Sequence, residues 1–78
     1  MTIDINTGEN FIDVFPGTET IELSTFDIHL LQVRLSGGWA FGFTSYIPGD
    51  KFNTLTTFTP GSGIYIVEAS SPFQIEYN

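Results

Sequence analysis

The side chains able to do chemistry are few. Asp27 and His29 stand two apart, so on a strand they share a face. A carboxylate beside an imidazole is the arrangement that orients a general base. No serine sits in a Gly-x-Ser-x-Gly elbow to act as nucleophile, and cysteine is absent. The expectation is therefore a hydrogen-bonded surface pair at a strand entrance. Asp4-Ile5-Asn6-Thr7-Gly8-Glu9 has the opening of a calcium loop, but its fifth position is Gly8, its sixth Glu9 and its twelfth Phe15. A calcium loop needs oxygen ligands at the fifth and twelfth and glycine at the sixth. Gly61-Ser62-Gly63 offers backbone N–H groups to an anion. No lysine follows and no strand-to-helix pattern surrounds it, so it reads as a tight turn into a strand. No catalytic residue, cofactor site or metal site is assigned.

Trp39, Phe41, Phe43, Tyr46 and Tyr65 form the aromatic group of interest. Flat rings on one strand face either fill a core or a protein interface, or stack on sugars. The expectation is core or interface. The nine carboxylates are spread along the chain and form a solvated face.

Length and charge narrow the function further. The chain has 78 residues, 2 basic and 9 acidic, with a formal net charge of −7. With only Arg34 and Lys51 as cations, phosphate neutralisation and hence nucleic-acid binding are not expected. No apolar run reaches the roughly 18 residues of a membrane span. The start MTIDINTGEN has no basic region followed by an apolar one, so no signal peptide is expected. Residues 1–78 make one domain. A domain this small buries only about 60% of the surface of its unfolded chain. With 8 Phe and a Trp to hide and no disulfide to help, some aromatic surface is expected to be buried between chains.

The dominant sequence period is two, and Ile, Val, Thr, Phe and Tyr prevail. Ile3 and Ile5 mark a first strand. Asn10 to Phe15 marks a second, with Ile12 and Val14 on one face and Phe11, Asp13 and Phe15 on the other. Pro16-Gly17 turns the chain. Thr20 to Phe26 fits either a strand or a short helical turn. Ile28 to Leu35 is a strand with Leu31, Val33 and Leu35 on one face. Ser36-Gly37-Gly38 is a hairpin signal, and Trp39 to Tyr46 returns. Pro48-Gly49-Asp50 is a turn. Leu55 and Phe58 are spaced like a helical turn plugging the core. Gly63 to Ala69 is a strand with Tyr65 and Val67 on one face, and Phe73, Ile75 and Tyr77 alternate in the last strand. About six or seven short strands at this spacing predict an all-β fold, a small antiparallel β-sandwich or barrel.

The second half carries a fuller pattern: Trp39-Ala40-Phe41, Tyr46-Ile47-Pro48, Phe52-Asn53-Thr54-Leu55-Thr56, and Pro60-Gly61-Ser62-Gly63-Ile64-Tyr65. It resembles a small bacterial and bacteriophage β module that runs Trp, Tyr-x-Pro, Asn-Thr-Leu-Thr, Pro-Gly-x-Gly-aromatic. The resemblance spans residues 8–77. Glu9 stands where that module usually has Trp, and Ile64-Tyr65 replaces a common Tyr-Trp. Pro60 fixes φ, Gly61 and Gly63 permit the turn, and Leu55 anchors the loop. Asn53, Thr54, Leu55, Pro60, Gly61 and Gly63 thus make a structural signature rather than a catalytic one.

What the resemblance implies is a non-enzymatic module found in phage virions and in secreted or cell-wall-associated surface proteins. The expected function is a virion structural subunit, either a capsid cement (decoration) protein or a tail or fibre component. It would associate with copies of itself and with a larger capsid or tail assembly. Its place would be the virion, after synthesis in the host cytoplasm. The alternative is a bacterial cell-surface module binding polysaccharide or a neighbouring domain. A short chain with its own Met1 and no export signal favours the former.

Overall fold

The computed structural model describes residues 1–38 and 42–78. In chain order the strands are β1 (Thr2–Ile5), β2 (Gly8–Ile12), β3 (Ile21–Glu22), β4 (Leu30–Gly38), β5 (Gly42–Tyr46), β6 (Thr57–Phe58), β7 (Ile64–Ala69) and β8 (Phe73–Glu76). One 3-10 turn, Leu23–Phe26, follows β3. A four-stranded sheet of order β2-β7-β4-β5 forms one layer. Two short ladders, β1-β8 and β3-β6, close the other side of the core, and every pairing is antiparallel. This is a small all-β sandwich.

The alternation of side chains explains the layering. On β7, Tyr65, Val67 and Ala69 are buried. Their cross-strand neighbours include Ile12 on β2 and Val33 on β4, also buried. Ile5, Phe58 and Ile75 meet them from the short ladders, and Leu23 from the 3-10 turn. At the centre Phe15 stacks on Phe58, with ring centroids 4.8 Å apart and planes within 2°. Tyr65 meets Phe58 edge-on at 5.0 Å and 74°. Such offset-stacked and edge-to-face contacts suit the ring quadrupoles.

The paired arms β1-β2 and β7-β8 cross from one layer to the other at a corner. Asn6 and Thr7 lie between Ile5 and Gly8, while Ser70, Ser71 and Pro72 lie between their partners Ala69 and Phe73. One arm is therefore a residue longer, which bends the ladder as a bulge does. Asn10 fastens the bend. Its Oδ1 accepts from the Asn6 N–H at 3.0 Å, and its Nδ2 donates to the carbonyls of Asn6 and Val67 at 2.8 and 3.2 Å.

Several sequence expectations need correction. The second strand ends at Ile12, so Val14 is 67% exposed while Phe15 turns inward. In β4 the register shifts between Leu30 and Gln32. The extra residue is Leu31, so Leu30 and Val33 both face the core and Leu31 lies 55% exposed. β4 also continues through Ser36-Gly37-Gly38, where the hairpin turn was expected, and Gly38 pairs with Gly42. Leu55 and Phe58 are both buried, but Phe58 belongs to β6 and no helical turn joins them. Thr20 to Phe26 splits into a two-residue strand and a 3-10 turn.

Phe58 is 0% exposed at the centre of the ring cluster, whereas Phe52 is 87% exposed. Phe58→Ala is expected to cost about 3–5 kcal/mol, a large share of the stability of a small domain. Phe52→Ala should stay within about 0.5 kcal/mol of the parent. Urea unfolding midpoints followed by far-ultraviolet circular dichroism check both.

Candidate functional site

Of the five aromatic candidates, Trp39 and Phe41 lie outside the described residues, and Phe43 lies on β5 opposite Ser36. Tyr46 and Tyr65 are core residues, 8% and 0% exposed. Neither offers a ring face to a sugar.

The buried Tyr65 keeps its hydroxyl satisfied by aiming it at the turn before β7. The Tyr65 Oη accepts the Thr59 N–H at 2.8 Å, lies 2.9 Å from Ser62 Oγ and donates to the Thr57 carbonyl at 3.3 Å. Between these groups, Pro60 and Gly61 take the central positions of a β-turn closed by Ser62 N–H to the Thr59 carbonyl at 3.3 Å. Gly61 has φ +73°, the left-handed value that the third position of a type II turn requires.

The Asn53-Thr54-Leu55 segment covers the outer edge of β5. Asn53 Oδ1 accepts the Ile47 N–H at 2.7 Å, and its Nδ2 donates to the carbonyls of Ile47 and Asp50 at 3.0 and 3.1 Å. Thr54 Oγ1 accepts the Ser45 N–H at 3.0 Å, and the N–H groups of Thr54 and Leu55 both donate to the Ser45 carbonyl. An open strand edge is thereby closed by its own loop. The Leu55 side chain drops into the core.

Asp27 and His29 do not share a strand face. They lie in the turn after the 3-10 segment, and each has a different partner. The Tyr46 hydroxyl donates to Asp27 Oδ1. His29 Nδ1 lies 2.7 Å from Ser71 Oγ, and its ring stacks on Phe73 at 5.2 Å and 13°. Ser71 carried no sequence signal of its own. A hydroxyl bonded to an imidazole is the first half of an activated nucleophile. Asp27 is turned to Tyr46, and Pro72 has no N–H to offer an oxyanion after Ser71. The contact instead clamps two loops, since the Ser70 N–H also donates to the His29 carbonyl at 2.8 Å. Asp4 accepts from Gln74 Nε2 at 2.8 Å, and no metal-holding group of three or more His, Cys, Asp or Glu exists among the described residues. No helix there is long and apolar enough to cross a membrane.

The outward face of the four-stranded sheet is a candidate contact surface. Phe11 on β2 sits directly opposite Ile66 on β7, with Ile64 two residues along. Phe11 is 63% exposed and Ile64 40%. Beside them Arg34 on β4 pairs with Glu9 at 3.2 Å and Glu68 at 3.5 Å. The result is an apolar stripe with a charged flank. Searches of family models, curated proteins and solved structures return no match to this chain.

Two outcomes follow from these contacts. Asn53→Ala removes one acceptor and two donations from the Ile47–Asp50 turn, and should cost about 1–3 kcal/mol with faster hydrogen exchange at the Ile47 amide. Burial, then the hydrogen bond and charge of Asp27, with Glu22 adding to them, push the Tyr46 hydroxyl from 10.0 up to about 12. The raised value favours the neutral phenol in the folded state. Its contribution is complete below about pH 10 and is lost as pH rises through about 12. The stability difference between the parent and Tyr46→Phe should therefore be flat from pH 7 to 9 and shrink above pH 10, as read from urea midpoints across that range.

Proposed function

We propose that this chain is a non-enzymatic structural subunit that works by protein–protein association, in the setting of a phage virion as a capsid cement protein or a tail or fibre component. The observation that carries the reading is the Phe11, Ile64 and Ile66 stripe on the outer sheet face, flanked by Glu9, Arg34 and Glu68. An apolar centre with a charged margin is the usual anatomy of a protein interface. Burying Phe11 against a neighbour recovers apolar surface that so small a core leaves in water. Copies of the chain meeting through this face around a symmetry axis would place the same stripe on both sides of the contact. The virion setting is supported by the pattern running from Trp39 to Val67, whose loop residues serve here to close a strand edge and a turn. The polysaccharide alternative loses support from the burial of Tyr46 and Tyr65.

Light scattering coupled to size-exclusion chromatography tests the reading. The parent should elute at a multiple of 8.6 kDa as concentration rises. Added salt should favour the assembly, because it screens repulsion between chains of charge −7. Phe11→Ser, at an exposed position, should return a folded monomer. A parent that stays monomeric at millimolar concentration in high salt overturns self-association.

A further inference from the structure

We propose that the groove between β8 and β3 receives an extended basic segment of a different protein, which pairs its backbone with the open edge of β8. The groove belongs to the two short ladders rather than to the four-stranded sheet. It deepens the association reading by naming a partner chemistry. Two hollows of about 390 and 420 Å³ share Ile21 and Glu76 along it. Glu19 and Tyr77 line one end, Phe26 and Gln74 the other.

The edge of β8 is available for pairing. Met1 and Tyr77 exchange both backbone hydrogen bonds, at 2.9 and 3.2 Å. In an antiparallel ladder such exchanging pairs alternate with non-exchanging ones. Ile75 and Phe73 therefore face β1, while the N–H and C=O groups of Gln74 and Glu76 face the groove. Among the described residues β8 has no strand partner other than β1, and β3 has none other than β6. Asn53 to Leu55 close the β5 edge; among the described residues Gly17 packs on Tyr77 and Asn78 at the end of β8, and no loop bonds to the backbone of Gln74 or Glu76. A strand laid here would satisfy the backbone groups of Gln74 and Glu76 and cover Ile21 and Phe26, in the manner of strand addition.

Charge decides the occupant. The groove presents the carboxylates of Glu19 and Glu76, on a chain of net charge −7. A second copy is a poor candidate, since its two cationic side chains are Arg34, which is engaged by Glu9 and Glu68, and Lys51, and its Met1 ammonium is held on the Tyr77 carbonyl. A partner strand bearing Lys or Arg at alternate positions puts cations beside the carboxylates and apolar side chains on the Ile21 floor.

The test uses the full chain and a fluorescein-labelled alternating lysine–valine peptide, with two controls. One has alternate backbone amides N-methylated at unchanged charge; the other replaces lysine by glutamate. Backbone amide shifts should centre on Ile21, Gln74 and Glu76. The N-methylated peptide and the Glu19→Gln/Glu76→Gln variant should each bind about tenfold more weakly, and added salt should weaken the parent complex. Equal binding by the N-methylated peptide, equal binding by the glutamate peptide, or no shift in the groove at millimolar lysine–valine peptide overturns the proposal. The Phe11→Ser chain is titrated in parallel. A parent chain that stays monomeric and takes the peptide removes self-association and keeps the groove, whereas a parent that assembles, becomes monomeric on Phe11→Ser and ignores the peptide in both forms does the reverse.

Discussion

Tyr65 joins the two halves of this structure, and its constraint is that a phenol cannot be buried without finding partners for its hydroxyl. The ring lies at 0% exposure against Phe15 and Phe58, so water cannot serve the oxygen. The chain supplies Thr59, Ser62 and Thr57 instead. These three lie in β6 and in the turn that leads into β7, the strand at the centre of the large sheet. The buried ring thus sets where the Pro60-Gly61 turn must sit, and the turn in turn places β6 over the core. An unsatisfied hydroxyl here would cost about as much as several ordinary contacts return.

The same economy runs through the rest of the small core. With no disulfide and no metal cluster among the described residues, rigidity comes from side chains that join distant backbone. Asn10 holds the corner where two paired arms change layer. Asn53 closes the turn after β5. His29 and Ser71 tie the loop before β4 to the loop before β8. Each is a polar group at a place where the regular ladder stops and backbone groups need partners. The ring series from Tyr65 through Phe58, Phe26 and Phe73 to His29 connects these points through the interior.

Strand content and the two faces of β7 and β8 were legible from period-two alternation, because those strands are regular; that Tyr65 and Val67 rather than Ile64 and Ile66 turn inward required the fold. The faces of β2 and β4 were not. A bulge at Leu31 shifts the period by one residue, and nothing in Leu30-Leu31 says which leucine is the extra one. Phe15 likewise turns inward after β2 has ended, which only the stacking with Phe58 explains. Ser36-Gly37-Gly38 has the composition of a turn, yet glycine also sits in a strand where a partner strand fixes it. Asn53 and Gly61 were readable as turn residues from their types. Their partners, Ile47 and Tyr65, required the fold, as did the separation of Asp27 from His29. The Phe11 stripe was hidden because exposure of an aromatic at a strand position depends on which layer that strand joins.

Charge then separates two kinds of contact on one small body. Arg34 lies on the outer sheet face, where it offsets Glu9 and Glu68. Under the association proposed above, two acidic copies would meet there through the apolar stripe, with Arg34 offsetting part of their charge. The groove beside β8 has the carboxylates of Glu19 and Glu76, with the Met1 ammonium on the Tyr77 carbonyl at one end, so the contact proposed there would draw on coulombic attraction to a basic chain. Screening opposes repulsion in the first case and attraction in the second. Ionic strength would then act with opposite sign on the two proposed contacts. On the proposed reading, a subunit that meets both its own kind and something unlike itself would gain from that division, since the two contacts would use different residues.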